Sequence, residues 1–169
     1  MKENFDGNTP IEYTVETLCA FLEKNHWTVV RRTGPCVLPR EITDRYLDFP
    51  EEWRAFLDRV ESCVRPDETA WFFCEEDYRR QEEGAFRWDE IERISLEAAE
   101  PEEAGPIRAF WDRHLPIFLS VSGDYQYCAL RLPDGAVVQG FAPEFEEAEE
   151  AAPSLAGFVR ALCRGERTL

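Results

Sequence analysis

The sequence predicts an α+β fold. Three observations lead there: apolar residues recur at helical spacing at both ends of the chain, the middle is rich in β-branched and aromatic runs, and the turns joining the later runs are short. Short turns between consecutive strands imply an antiparallel meander.

The first element opens at Thr9-Pro10-Ile11-Glu12, a capping-box pattern with proline expected at the first helical position. Ile11, Val15, Leu18 and Leu22 then mark one face of an amphipathic helix ending near Asn25. Trp27-Thr28-Val29-Val30 reads as a strand closed by Gly34-Pro35. A second helical region follows Leu38-Pro39. Its clearest stripe comes after Pro50, where Trp53, Phe56, Leu57 and Val60 stand at i, i+3, i+4 and i+7. Arg65-Pro66-Asp67 breaks the chain before Ala70-Trp71-Phe72-Phe73-Cys74, an apolar run too short for a helix and suited to a buried strand. The stretch from Glu75 to Gly84 is polar.

Residues 106–114 are expected as a short helix leading into strands near 115–121, 125–132 and 136–141. Pro133-Asp134-Gly135 supplies the hairpin turn between the last two, because glycine reaches positive φ at little cost. The closing helix is capped near Ser154, buries Leu155, Phe158, Val159 and Leu162, and stops at Gly165. With no repeat and no Gly/Ser linker, residues 1–169 are expected to form a single domain.

Composition narrows the function classes. The chain has 169 residues, of which 44% are hydrophobic and 13% aromatic, enough to build a core without disulfides or a structural metal. Against 19 Lys and Arg stand 35 Asp and Glu, a formal charge of −16. Such a surface repels nucleic acid and anionic headgroups, so neither is an expected partner, whereas a basic protein is. The start, MKENFDGNTP, lacks the pattern of a signal peptide, and no apolar stretch is long enough to span a bilayer. A cytoplasmic location follows as the expectation. The six cysteines, Cys19, Cys36, Cys63, Cys74, Cys128 and Cys163, form no C-x-x-C pair and are expected as free, buried thiols with no metal and no cofactor.

Signatures of catalysis are sparse. There is no G-x-S-x-G elbow, Walker loop, G-x-G-x-x-G or H-E-x-x-H. His26 and His114 are the only histidines, and Cys74 ends an apolar run. A small hydrolase using Cys74 or His114 with a carboxylate is the enzyme alternative, set against a reading in which both are structural. The acids concentrate at Glu75, Glu76 and Asp77 and again at Glu144, Glu146, Glu147, Glu149 and Glu150. These eight carboxylates are the candidate partner-binding residues. Trp88, in the polar context Phe86-Arg87-Trp88-Asp89-Glu90, is the candidate partner anchor if half-exposed, set against a core placement. Trp53, Trp71 and Trp111 are assigned to the core.

One order of landmarks carries further meaning: Leu38-Pro39, the Trp53/Phe56/Leu57 helix, the Trp71-Phe72-Phe73 strand, Pro116 to Leu132, Gly135-Ala136-Val137-Val138 and the Leu155/Phe158/Leu162 helix. Over roughly residues 38–164 this order resembles the SMI1/KNR4 family, or SUKH superfamily. The family's usual Asn-Gly after the helix that follows Leu-Pro is missing; here Val60 runs through Glu61-Ser62-Cys63-Val64 to Arg65-Pro66. The resemblance implies a mixed, largely antiparallel sheet flanked by helices and no catalytic residues. It also implies either of two roles. Bacterial members are commonly immunity proteins that neutralise polymorphic toxins, many of them nucleases or deaminases, and fungal relatives act as regulatory scaffolds. An acidic immunity-type protein covering the basic surface of a toxin is the first expectation, and a scaffold without a toxin partner is the second.

Overall fold

The computed structural model describes residues 9–169. The opening MKENFDGN, on which the reading of the N-terminal segment rests, lies outside the described residues. The α+β expectation is met. The chain runs α1 (Ile11–Lys24), β1 (Thr28–Arg31), α2 (Arg40–Arg45), α3 (Glu51–Leu57), β2 (Val60–Val64), β3 (Ala70–Phe72), α4 (Glu75–Arg79), α5 (Glu90–Ala98), α6 (Ala104–Trp111), β4 (His114–Ser120), β5 (Gln126–Arg131), β6 (Val137–Phe141), β7 (Glu149–Ala152) and α7 (Leu155–Cys163). The seven strands lie side by side in chain order, and every pairing is antiparallel.

Strand alternation sorts the core into two rows. Phe72, Phe118 and Cys128 are successive cross-strand partners on one face, where Trp27 packs 5.8 Å from Phe72. Helices α1, α3 and α7 pack together as a layer. Trp53 stacks on Phe56 at 4.4 Å and donates its indole N–H to the Tyr78 hydroxyl at 2.9 Å. Tyr78 in turn donates to the Pro116 carbonyl at 2.7 Å, so this buried polar chain is satisfied at each step. On the other face Trp71, Leu119, Tyr127 and Gly140 form the cross-strand row. Trp111 of α6 covers Tyr127 at 4.9 Å. A Cβ on Gly140 would sit 2.4 Å from the Tyr127 ring, so glycine is what lets that ring lie flat over β6.

Several local expectations change. Pro10, not Thr9, is the residue flanking α1, and with no donor or acceptor on its side chain it cannot complete a capping box. Val60 belongs to β2, because α3 stops at Leu57. Helix α4 occupies part of the polar stretch after Cys74, while α5 and β7 are further elements. Trp71 is only half-buried, and Cys163 is exposed while the other five cysteines are buried, all six being free thiols.

The closing helix follows the sequence closely: Ser154 Oγ accepts from Gly157 N at 3.0 Å, and Gly165 takes φ +69° with its N–H on the Leu162 carbonyl at 3.1 Å. The β5–β6 turn is likewise where Asp134-Gly135 places it. Gly135 has φ +75° and donates to the Arg131 carbonyl at 2.8 Å, and a Cβ there would meet nothing within 4 Å. The cost of substitution is thus purely conformational. Gly135→Val should destabilise the protein by about 1–2 kcal/mol, because a β-branched residue resists positive φ. Urea unfolding checks this, and an unchanged midpoint would mean that the turn tolerates another geometry.

Candidate functional site

Two clefts each gather several exposed carboxylates. The first is a groove of about 650 Å³ lined by Ser95 and Ala98 of α5, Ile107 and Phe110 of α6, and Glu144, Glu146 and Glu147 from the segment after β6. Glu102, Glu103 and Arg113 complete its charged rim. Tertiary contacts hold these parts in place. Arg45 grips Glu92 of α5 through two bonds of 2.7 and 3.0 Å and reaches Asp112 at 3.0 Å, tying α2 to both walls. Tyr127 donates its hydroxyl to the Phe145 carbonyl, and Trp111 Nε1 donates to Glu146 at 2.7 Å. The 143–147 segment is therefore bolted to the core by one buried phenol and one indole.

Among the described residues none of Glu102, Glu103, Glu144 or Glu147 forms an ion pair, and Arg113 is the one cation lining this groove. Elsewhere the arginines are spent on other acids: Arg31 on Glu16 and Glu23, Arg65 on Asp67, Arg87 on Asp89. The groove keeps its negative field. Its wall also holds Ser95 Oγ, a buried hydroxyl with no hydrogen-bond partner among the described residues.

The second cleft, of about 700 Å³, is a trough across β1, β2 and β3 under α4. Val30, Ser62, Val64, Trp71 and Phe86 line it, with Glu61, Glu68, Glu76, Asp77 and Arg80 among its charged groups. A register shift places Val30 opposite Ser62 and Arg31 opposite Val60, which leaves Glu61 as the extra residue of a bulge. Such a bulge re-aims a side chain, and here Glu61 joins Ser62 in lining the trough. Glu68 holds φ +60° in the β2–β3 turn, a conformation glycine would adopt more cheaply. Arg65, Asp67 and Thr69 brace that turn through bonds of 2.9 Å from Arg65 to Asp67 and 2.6 Å from Arg65 to Thr69.

The sequence-predicted residues divide between these clefts and other roles. Glu144 and Glu147 are exposed in the groove, and Glu76 is exposed in the trough. Glu75 pairs with Arg32 and, at 3.0 Å, with Arg79. Burial works against its charge, yet the Val37 N–H and these two guanidiniums outweigh it and hold the carboxyl below its usual range. Asp77 caps α4 by accepting from Cys74 N at 2.8 Å, and burial pushes its pKa up. Glu146 serves Trp111, and Glu150 pairs with Arg131 at 2.8 Å. Glu149 is exposed on β7, outside both clefts.

Trp88 is not a half-exposed anchor. It is 4% exposed, edge-on to Tyr46 at 6.2 Å and beneath the Arg45 guanidinium at 5.6 Å. The acidic neighbours that suggested exposure include Asp89, which is turned to Arg87. Glu61, Glu68, Glu102 and Glu103 stand outside the acidic runs of the sequence; pairing of β2 with β3 sets the first two in the trough with Glu76, and the fold brings the last two to Glu144 and Glu147.

Cys74 and His114 have structural surroundings. The Cys74 thiol points to the Phe72 carbonyl at 3.7 Å, and burial pushes its pKa far up. His114 puts Nδ1 2.7 Å from the Phe110 carbonyl, stacks on the Phe110 ring at 3.9 Å, and has its pKa lowered by burial. Among the described residues no three His, Cys, Asp or Glu are placed to hold a metal, and no helix is long and apolar enough to cross a membrane. No protein-family model, curated protein or solved structure matches the chain.

Proposed function

We propose that the chain is a non-catalytic protein-binding domain of the immunity type, which neutralises a basic toxin by docking its acidic groove on the toxin's phosphate-seeking surface. The observation that carries this reading is the α5–α6 groove, where unpaired carboxylates surround the apolar side chains of Ile107 and Phe110. An apolar floor within a charged rim is the anatomy of a docking surface. Fixed negative charge steers a cationic partner toward it, and a nucleic-acid-cleaving enzyme presents such charge. The resemblance to SMI1/KNR4 proteins supports the same class. Free buried thiols fit the reducing cytoplasm in which such a protein would act.

The test uses the intact chain as bait in extracts of its own cells, beside a variant carrying Glu102→Lys, Glu144→Lys and Glu147→Lys. A basic protein should be captured by the wild type and lost by the variant, while both give the same circular dichroism and melting temperature. Equal capture by the two, or a captured partner that is itself acidic, would overturn the assignment of the groove.

A further inference from the structure

We infer that the trough across β1, β2 and β3 is a second recognition site, which takes an arginine side chain presented by a partner protein. It rests on the reading of the chain as a partner-binding domain and adds the chemistry of one contact. Trp71 is half-buried and meets Phe86 at 5.6 Å with the rings tilted by 51°; Phe86, 36% exposed, meets Tyr125 at 6.0 Å. Trp71 and Phe86 give the trough an aromatic wall at its β3 side, with Tyr125 behind Phe86. Val30, 41% exposed, continues the apolar surface onto the edge strand β1.

Around this surface stand Glu61, Glu68 and Glu76, none of which forms an ion pair among the described residues. Arg80 also lines the trough, and its charge acts on the neighbouring Asp77. Three carboxylates are left in excess. The molecule's own cations lie over other rings, Arg45 over Tyr46 and Trp88 and Arg54 over Phe49. Among the described residues no cation lies over Trp71.

An aromatic face beside unpaired carboxylates recognises a cation, and its geometry selects the type. A guanidinium is planar, weakly hydrated and forked, so it can stack on an indole while donating to carboxylates at its edge. An ammonium keeps more of its water and offers no plane to stack. Two features of the backbone serve this arrangement: the bulge that turns Glu61 into the trough and the left-handed Glu68, where a carboxylate stands at a position better suited to glycine.

The test titrates the intact protein with the peptide Ac-Gly-Arg-Gly-NH2 while following the Trp71 indole N–H by NMR, assigned with Trp71→Phe. The wild type should show a saturable shift. The citrulline peptide, a neutral isostere, should give none, and the lysine peptide should bind several-fold more weakly. Glu68→Gly removes a carboxylate while relaxing the turn, so it should melt no lower than the wild type and bind the arginine peptide several-fold more weakly. Adding Glu61→Gln and Glu76→Gln should bring the loss to about tenfold or more. The variant with Glu102, Glu144 and Glu147 reversed should bind the peptide within about twofold of the wild type, because those residues line the other cleft. No saturable Trp71 shift, an equal shift with the citrulline peptide, or unchanged affinity in the folded triple variant would each overturn the inference. Loss of partner capture on groove reversal with no peptide binding at Trp71 would leave the groove assignment standing and remove the trough alone.

Discussion

Gly140→Val is expected to destabilise the protein by about 3 kcal/mol or more and to loosen the acidic groove at the same time. The added Cβ would fall 2.4 Å from the ring of Tyr127, a residue 1% exposed and covered by Trp111 at 4.9 Å. Overpacking of this kind costs roughly 1–3 kcal/mol, since neighbours must leave their rotamers or the strand must shift. Displacing the ring also breaks the bond from the Tyr127 hydroxyl to the Phe145 carbonyl, and a buried polar group left unpaired costs about a further 1–3 kcal/mol. Phe145 sits inside the segment that carries Glu144, Glu146 and Glu147, so the loss is felt where the groove's charges are held. Urea unfolding measures the first effect, and amide hydrogen exchange over 143–147 measures the second. A variant that unfolds at the wild-type midpoint would mean that Tyr127 does not depend on Gly140.

Tyr127 shows why much of the fold was legible in the sequence and part of the site was not. The aromatic and apolar run from Tyr125 to Leu132 announces a strand, and Asp134-Gly135 announces its turn, because both signals act within a few residues. The flat approach of the ring to Gly140 depends on a register between β5 and β6 that no local pattern states. The elements first read as something else have a similar origin. Val60 fits the i+7 position of a helical stripe as well as it fits the start of a strand, and only pairing with β1 decides for β2. Strand β7, Glu149-Glu150-Ala151-Ala152, has little strand propensity and is held as a strand by the ladder to β6.

The site divides along the same line. The acidic run 144–150 was visible as a run, but its members separate once side chains find partners: Glu146 to Trp111, Glu150 to Arg131, with Glu144 and Glu147 left to the groove. Glu102 and Glu103 are brought beside them by the anchorage of the 143–147 segment to α6 through the Trp111–Glu146 bond, a contact across 35 residues of chain. The polar context of Trp88 points away from its buried position for a related reason. Its charged neighbours turn inward to one another or outward to water, while the indole lies under Arg45, a residue far away in sequence.

This sorting of carboxylates defines the second large expected effect. Reversing Glu102, Glu144 and Glu147 to lysine changes the local charge by six units at positions that carry no ion pair, so the fold should survive. Association with a basic partner should then slow by about one to two orders of magnitude at low salt, within the range over which steering acts on encounter rates. The wild-type rate should fall steeply as salt shortens the Debye length below about 10 Å, whereas the reversed variant's rate should fall less steeply. Dissociation should change less, because it is governed by the desolvated centre, which Ile107 and Phe110 supply in this groove. Reversal of Glu146 and Glu150 is the informative contrast. Those carboxylates hold Trp111 and Arg131, so their replacement should lower the melting temperature and slow association less per charge than the groove set. Stopped-flow association against salt for the three proteins decides the matter. Equal salt slopes for the wild type and the groove variant would mean that partner encounter is steered from another face.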